Sequence, residues 1–106
     1  MTITTTRIQA YLSDCDLSRS NQDTAAGYLH MSVSTMRRHL TQEGARWSDL
    51  FEAEQIKRIN AAMKANPRAP GKALAVECGY LQTNSFYRAF SRIFGEDYSA
   101  VKRARG

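Results

Sequence analysis

Arg37 and Arg38 lie side by side, with Ser34 three and four positions before them and Thr41 three and four after. On a helix such spacings make neighbours, so these four side chains share one face. A guanidinium carries its N–H donors in a rigid fork that fits two acceptors at once, such as a guanine O6/N7 edge or a phosphate. A second group, Thr83, Asn84, Ser85, Tyr87, Arg88 and Arg92, brings an amide, several hydroxyls and two guanidinia into one short segment. An asparagine amide matches adenine N6/N7, and hydroxyls hold phosphate oxygens. Plainer uses compete: an arginine pair also serves as a solvated face or a phosphate clamp, and Asn84 stands where a helix N-cap would.

Catalysis has much less to draw on. The histidines, His30 and His39, have no nucleophile and acid at triad-like spacing and no metal-ligand spacing around them. Cys15 and Cys78 stand 63 positions apart with no CxxC. One disulfide between them is possible in principle, and two free thiols are the expectation for a reducing compartment. The chain is therefore expected to be no enzyme and to need no metal or cofactor.

Charge favours an anionic partner without proving one. The 106 residues carry 15 Lys plus Arg against 10 Asp plus Glu, a net charge of +5. Residues 1–53 are net −1, whereas residues 54–106 hold ten bases and four acids, net +6. Such asymmetry fits a polyanion as well as a basic solvated surface. Apolar residues make up 42% and charged residues 24%, too apolar for a disordered tail and too polar for a membrane span. The longest wholly apolar run, 73–76, is very short, and no basic-then-apolar leader pattern opens the chain. A single compact, cytoplasmic domain without a membrane segment is the expectation.

These side chains need helices to position them. Apart from the β-branched stretch 2–6 at the terminus, no alternating run indicates a strand, and apolar residues recur at helical spacing. The predicted fold is all-α, with about seven helices. Ile8, Tyr11, Leu12 and Cys15 form one stripe; Asn21 caps a short helix over 23–29; a third helix follows Ser32, buries Val33, Met36 and Leu40, and stops at Gly44. The segment 47–65 is periodic throughout, and its apolar stripe rotates from Trp47, Leu50 and Phe51 to Ile56, Ile59 and Met63. After the break between Pro67 and Pro70 come a short helix over 72–77, closed by Gly79, and a longer one from Asn84 or Ser85 to Gly95. That longer helix turns Phe86, Ala89, Phe90, Ile93 and Phe94 inward, and a basic helix over 99–105 ends the chain. Small residues in the two short helices permit the close, steep crossing of a helix-turn-helix.

Two stretches carry a resemblance. The first is Met31-Ser32-x-Ser34-x-Met36-x-Arg38-x-Leu40-x3-Gly44 followed by Trp47. The second is Leu74-Ala75-x3-Gly79-Tyr80-x5-Phe86-x-Arg88-Ala89-Phe90-x-Arg92-x-Phe94-Gly95. From Gln22 to Arg103 the chain resembles the DNA-binding unit of the AraC/XylS family of bacterial transcription regulators. The resemblance implies two helix-turn-helix subdomains, here about 6–44 and 70–106, joined by a connector helix over 47–65. It implies double-stranded DNA as partner, usually activation through RNA polymerase, and Ser34, Arg37 and Arg38 as base or backbone contacts. A recognition helix presents its N-terminal residues to base edges in the major groove. A connector of 19 residues spans about 28 Å, enough to set two such helices near one DNA turn apart, roughly 34 Å. Lys57, Arg58, Lys64, Arg68, Lys72, Arg92, Lys102 and Arg103 are further candidates for phosphate contacts.

The chain also departs from the family. Gln22 and Gly71 replace apolar residues, Gln55 and Ile59 replace the connector's usual Arg and Ala, Ser85 replaces an aromatic, and Tyr98 replaces a proline. The Gly71 departure predicts a shorter or looser first helix in the second subdomain. The Gln22, Gly71 and Tyr98 departures keep a second reading open, a helical protein-interaction module of the same fold with weak or lost DNA binding. Most family members carry a separate effector-binding or dimerisation domain, for which this length leaves no room; the chain reads either as a short stand-alone member or as an excised domain.

Overall fold

A computed structural model describes residues 2–96 and 98. Among these residues there are six α-helices and no strand: α1 (Ile3–Asp14), α2 (Gln22–Tyr28), α3 (Val33–Gln42), α4 (Trp47–Ala65), α5 (Gly71–Glu77) and α6 (Thr83–Phe94), plus a single 3-10 turn at Leu17–Arg19. The all-α expectation holds. The tail helix expected over 99–105 lies outside the described residues. The chain divides into two compact units, Met1–Gln55 and Ile56–Gly106, and the division falls within α4.

The first unit has an aliphatic core. Ile8 and Leu12 of α1, Leu17, Ala25 and Ala26 of α2, Leu29, and Met36 and Leu40 of α3 are all buried, with Trp47, Leu50 and Phe51 of α4 packed around them. One expectation fails at the terminus. The β-branched run 2–6 is not extended; α1 begins at Ile3. Thr2 supplies no side-chain cap. Glu43, at the far end of α3, does so instead: its carboxylate accepts the Thr4 N–H at 3.1 Å and the Thr5 N–H at 2.7 Å. An anion on the free N–H groups of a first turn stabilises a helix that local propensity alone would not start. Cys15, expected on the helical stripe, is an extended residue just past the end of α1.

Local chemistry sets the next two helices. Asn21 Oδ1 accepts the Thr24 N–H while the Thr24 hydroxyl accepts the Asn21 N–H, both at 2.9 Å, a reciprocal capping box. The Tyr11 hydroxyl reaches the same Thr24 hydroxyl at 2.9 Å, tying α1 to the start of α2. Ser32 caps α3 through the Thr35 N–H at 3.1 Å. Between them the chain turns at His30, with φ +59°, and the Met31 N–H closes on the Ala26 carbonyl at 3.0 Å.

The second unit closes the same turn in the same way. Gly79 takes φ +86°, and the Tyr80 N–H donates to the Ala75 carbonyl at 2.8 Å. Its core is aromatic where the first is aliphatic. Phe86 lies 5.9 Å from Phe90, 5.3 Å from Tyr98 and 6.0 Å from Tyr80, measured between ring centroids. Leu74, Ala75, Cys78, Ile59 and Met63 complete it. One expectation is corrected here. The glycine at position 71 does not loosen α5, which starts at that residue and buries it. Tyr98, standing in for a proline, is buried at 1% exposure and donates its hydroxyl proton to the Ala69 carbonyl.

Candidate nucleic-acid interface

With Met36 and Leu40 buried, α3 leaves Ser34, Arg37, Arg38 and Thr41 exposed on its other side. Arg37 does not extend freely. Its Nε–H donates to Gln22 Oε1 at 2.7 Å. Gln22 is the first residue of α2 and half-buried, so the start of one helix braces a side chain of the next. Beside this pair a cleft of about 270 Å³ is lined by Thr41, Arg46, Trp47 and Ser48 in addition to Gln22 and Arg37. It joins two guanidinium groups, two hydroxyls and an indole on one surface, a set suited to phosphate and base edges.

Arg46 and Ser48 were not legible as candidates, because nothing in their spacing links them to Arg37. The signal lies in Gly44, whose φ of +78° reverses the chain, after which the Ala45 N–H closes on the Leu40 carbonyl at 2.8 Å. That reversal returns residues 46–48 to the start of α2. Only glycine adopts this conformation without penalty.

In the second unit, α6 starts at Thr83, earlier than expected, after Gln82, which makes no side-chain cap bond. Asn84 is therefore not an N-cap. It is the second residue of the helix and exposed, as are Arg88 and Arg92, while Thr83 and Ser85 are half-buried. Tyr87 departs most from expectation. The spacing put it on the exposed N-terminal turn, yet it is half-buried, with its ring 5.7 Å from Phe86 and 5.9 Å from Tyr98. The ring lies over Gly71 so closely that a Cβ there would sit 2.6 Å from Tyr87 Cζ. The absence of a side chain at position 71 is what lets Tyr87 fold inward.

The phosphate candidates divide similarly. Lys57, Lys64, Arg68 and Lys72 are exposed, whereas half-buried Arg58 donates to the Glu77 carbonyl at 3.5 Å, at the end of α5. Lys102 and Arg103 lie outside the described residues. Both cysteines are free thiols, and burial, with Glu77 beside it, pushes the Cys78 thiol up to about 12, too high for reactivity. Burial likewise raises the Tyr98 phenol, with Tyr87 adding to the effect. His39 sits half-buried with Nδ1 3.4 Å from the Thr4 hydroxyl, and His30 is exposed in its turn. Among the described residues no helix is long and apolar enough to cross a membrane.

A solved structure shares this fold. The chain superimposes on the crystal structure of a DNA-binding transcriptional dual regulator from Escherichia coli K-12 with a TM-score of 0.78, covering 95% of this chain and 96% of that one. At 20% identity the likeness is one of fold. The HTH-type transcriptional regulator VqsM of Pseudomonas aeruginosa is 30% identical over 98 residues, or 92% of this chain. The chain spans only 30% of that regulator's length. No protein-family model matches it.

Proposed function

We propose that the chain is a sequence-specific double-stranded DNA-binding unit of a transcription regulator of the AraC/XylS type. In this reading α3 and α6 are recognition helices for two successive major-groove segments. The observation that supports it is the two helix pairs, α2–α3 and α5–α6, closed by matching bonds at the His30 and Gly79 turns, each with exposed arginine on its second helix. The names of the similar regulators support the same partner. Ser34, Arg37, Arg38 and Thr41 contact DNA from α3, and Thr83, Asn84, Ser85, Arg88 and Arg92 from α6. The cleft at Arg46, Trp47 and Ser48 extends the first surface. Tyr87 acts through the core and not the groove. The unit works by binding and not by catalysis, on the nucleoid in the cytoplasm, and activates by contacting RNA polymerase.

Binding to random duplex DNA and to a selected site, measured across a salt series, tests this. Arginine and lysine that neutralise phosphates release counterions, so affinity should fall steeply with salt. A preference for the selected site should persist. Arg37→Ala should weaken the selected site by about 1–3 kcal/mol and random DNA much less; equal loss on both would make Arg37 a phosphate contact. No duplex binding at low salt would overturn the reading in favour of a protein-interaction module of the same fold.

A further inference from the structure

We propose that Gln22 determines which base edge Arg37 reads, by holding the guanidinium end-on. The inference rests on the DNA-binding reading above and extends it to a residue outside the recognition helix. A guanidinium offers two kinds of fork: Nε with one terminal nitrogen, or the two terminal nitrogens together. The single Nε proton of Arg37 is already given to Gln22 Oε1 at 2.7 Å. Only the end-on fork is left for a two-acceptor partner, and the O6/N7 edge of guanine fits it.

Gln22 is well placed to hold this geometry. Its backbone opens α2 directly after Asn21, inside the capping box with Thr24, which the Tyr11 hydroxyl ties to α1. The brace therefore stands on two helices rather than on a loop. An unbraced arginine must surrender its rotamer freedom when it meets the base, and here part of that ordering precedes binding. An apolar residue at position 22, usual in the resembled family, has no acceptor and leaves both forks in play. Gln22 is thus a positioning residue for Arg37.

The test uses the whole chain. A preferred duplex is selected from a random library with the wild type, and its affinity is compared with that of random duplex for wild type, Gln22→Leu and Gln22→Asn; the last keeps the amide but is one methylene too short. Both variants should lose about tenfold of the specificity ratio, concentrated at one G·C pair, with the salt slope unchanged because no phosphate charge is removed. In an Arg37→Ala background Gln22→Leu should change nothing further. In the free protein, exchange of the Arg37 Nε proton with water should be slow in the wild type and fast in Gln22→Leu, a readout independent of DNA. A ratio kept within about twofold by both variants, or equal exchange rates, overturns the proposal. A wild type without sequence preference overturns the DNA-binding reading first, before any variant is made.

Discussion

Gln22 and Gly71 occupy the same place in two copies of one motif, and the copies use it in opposite ways. Each is the first residue of the first helix of its pair, α2–α3 or α5–α6. Each meets the fifth residue of the second helix, Arg37 in α3 and Tyr87 in α6. The long polar side chain of Gln22 reaches that fifth residue and holds it at the surface. The bare backbone of Gly71 opens a space, and the aromatic ring falls into it. The fifth position is thus an exposed arginine in one unit and a half-buried ring packed against the core in the other. One position on the preceding helix makes the choice. Fourth, sixth and eighth positions do not differ in this way: Met36 and Phe86 are buried, Arg38 and Arg88 exposed, Leu40 and Phe90 buried.

The cores should respond most strongly. Phe86→Ala removes a ring shared by four aromatic neighbours and should cost about 3–5 kcal/mol, against about 2–5 kcal/mol for Met36→Ala, both read by thermal or urea unfolding. Losses of the same size would remove the contrast between an aromatic and an aliphatic core. Next comes the junction itself. Gly71→Leu, which introduces the apolar residue usual in the resembled family, should destabilise by about 1–3 kcal/mol through overpacking against Tyr87. In a Tyr87→Ala background most of that cost should vanish, a coupling of about 1 kcal/mol or more in a double-mutant cycle. An additive result would mean that position 71 does not control Tyr87.

Smaller effects separate the two turns. His30 holds a left-handed conformation that costs a residue with a Cβ about 1–2 kcal/mol, whereas Gly79 holds it freely. His30→Gly should therefore stabilise by about 0.5–1 kcal/mol and Gly79→Ala should destabilise, both read by urea midpoint. Equal signs would show that the turns are not equivalent. The smallest effect is confined to acid. Partial burial works to raise the Glu43 carboxyl, but the Thr5 and Thr4 donors outweigh it and lower the group from 4.5 to about 2. Its native value lies below its unfolded one, so its stabilisation is complete above about 4.5 and lost as pH falls toward 2. Glu43→Gln should flatten that part of the melting-temperature profile and speed amide exchange in the first turn of α1. In the second unit, as at Thr2, the residues preceding α5 and α6, Pro70 and Gln82, make no side-chain cap bond of their own.

How much could be read in advance depended on how local the cause was. Asn21, Ser32 and Gly44 each act within a few residues, and the helix boundaries they set were legible from residue type. Thr4 and Thr5 point locally toward a strand, and only a carboxylate 38 and 39 positions away makes them helical. Asn84 has the residue type of a cap, yet the helix starts before it because Phe86 and Phe90 set the phase of α6 against their core. Tyr87 owes its place to a similar cause. Helical spacing put it beside Arg88, but whether it turned outward depended on a glycine 16 positions earlier.

By itself, the sequence determined the helical periods, the two turns, the faces that carry Ser34, Arg37, Arg38 and Arg88, and the charge excess of the second half. These follow from residue type and from spacings of three and four, information held within one or two helical turns. Tertiary structure alone decided that Glu43 caps α1, that Gln22 braces Arg37, that Tyr98 fills the second core and that Tyr87 turns its ring onto that core. Each of those depends on two segments distant in the chain meeting at hydrogen-bond or van der Waals range. Pattern along a single helix carries no record of what the facing helix will present.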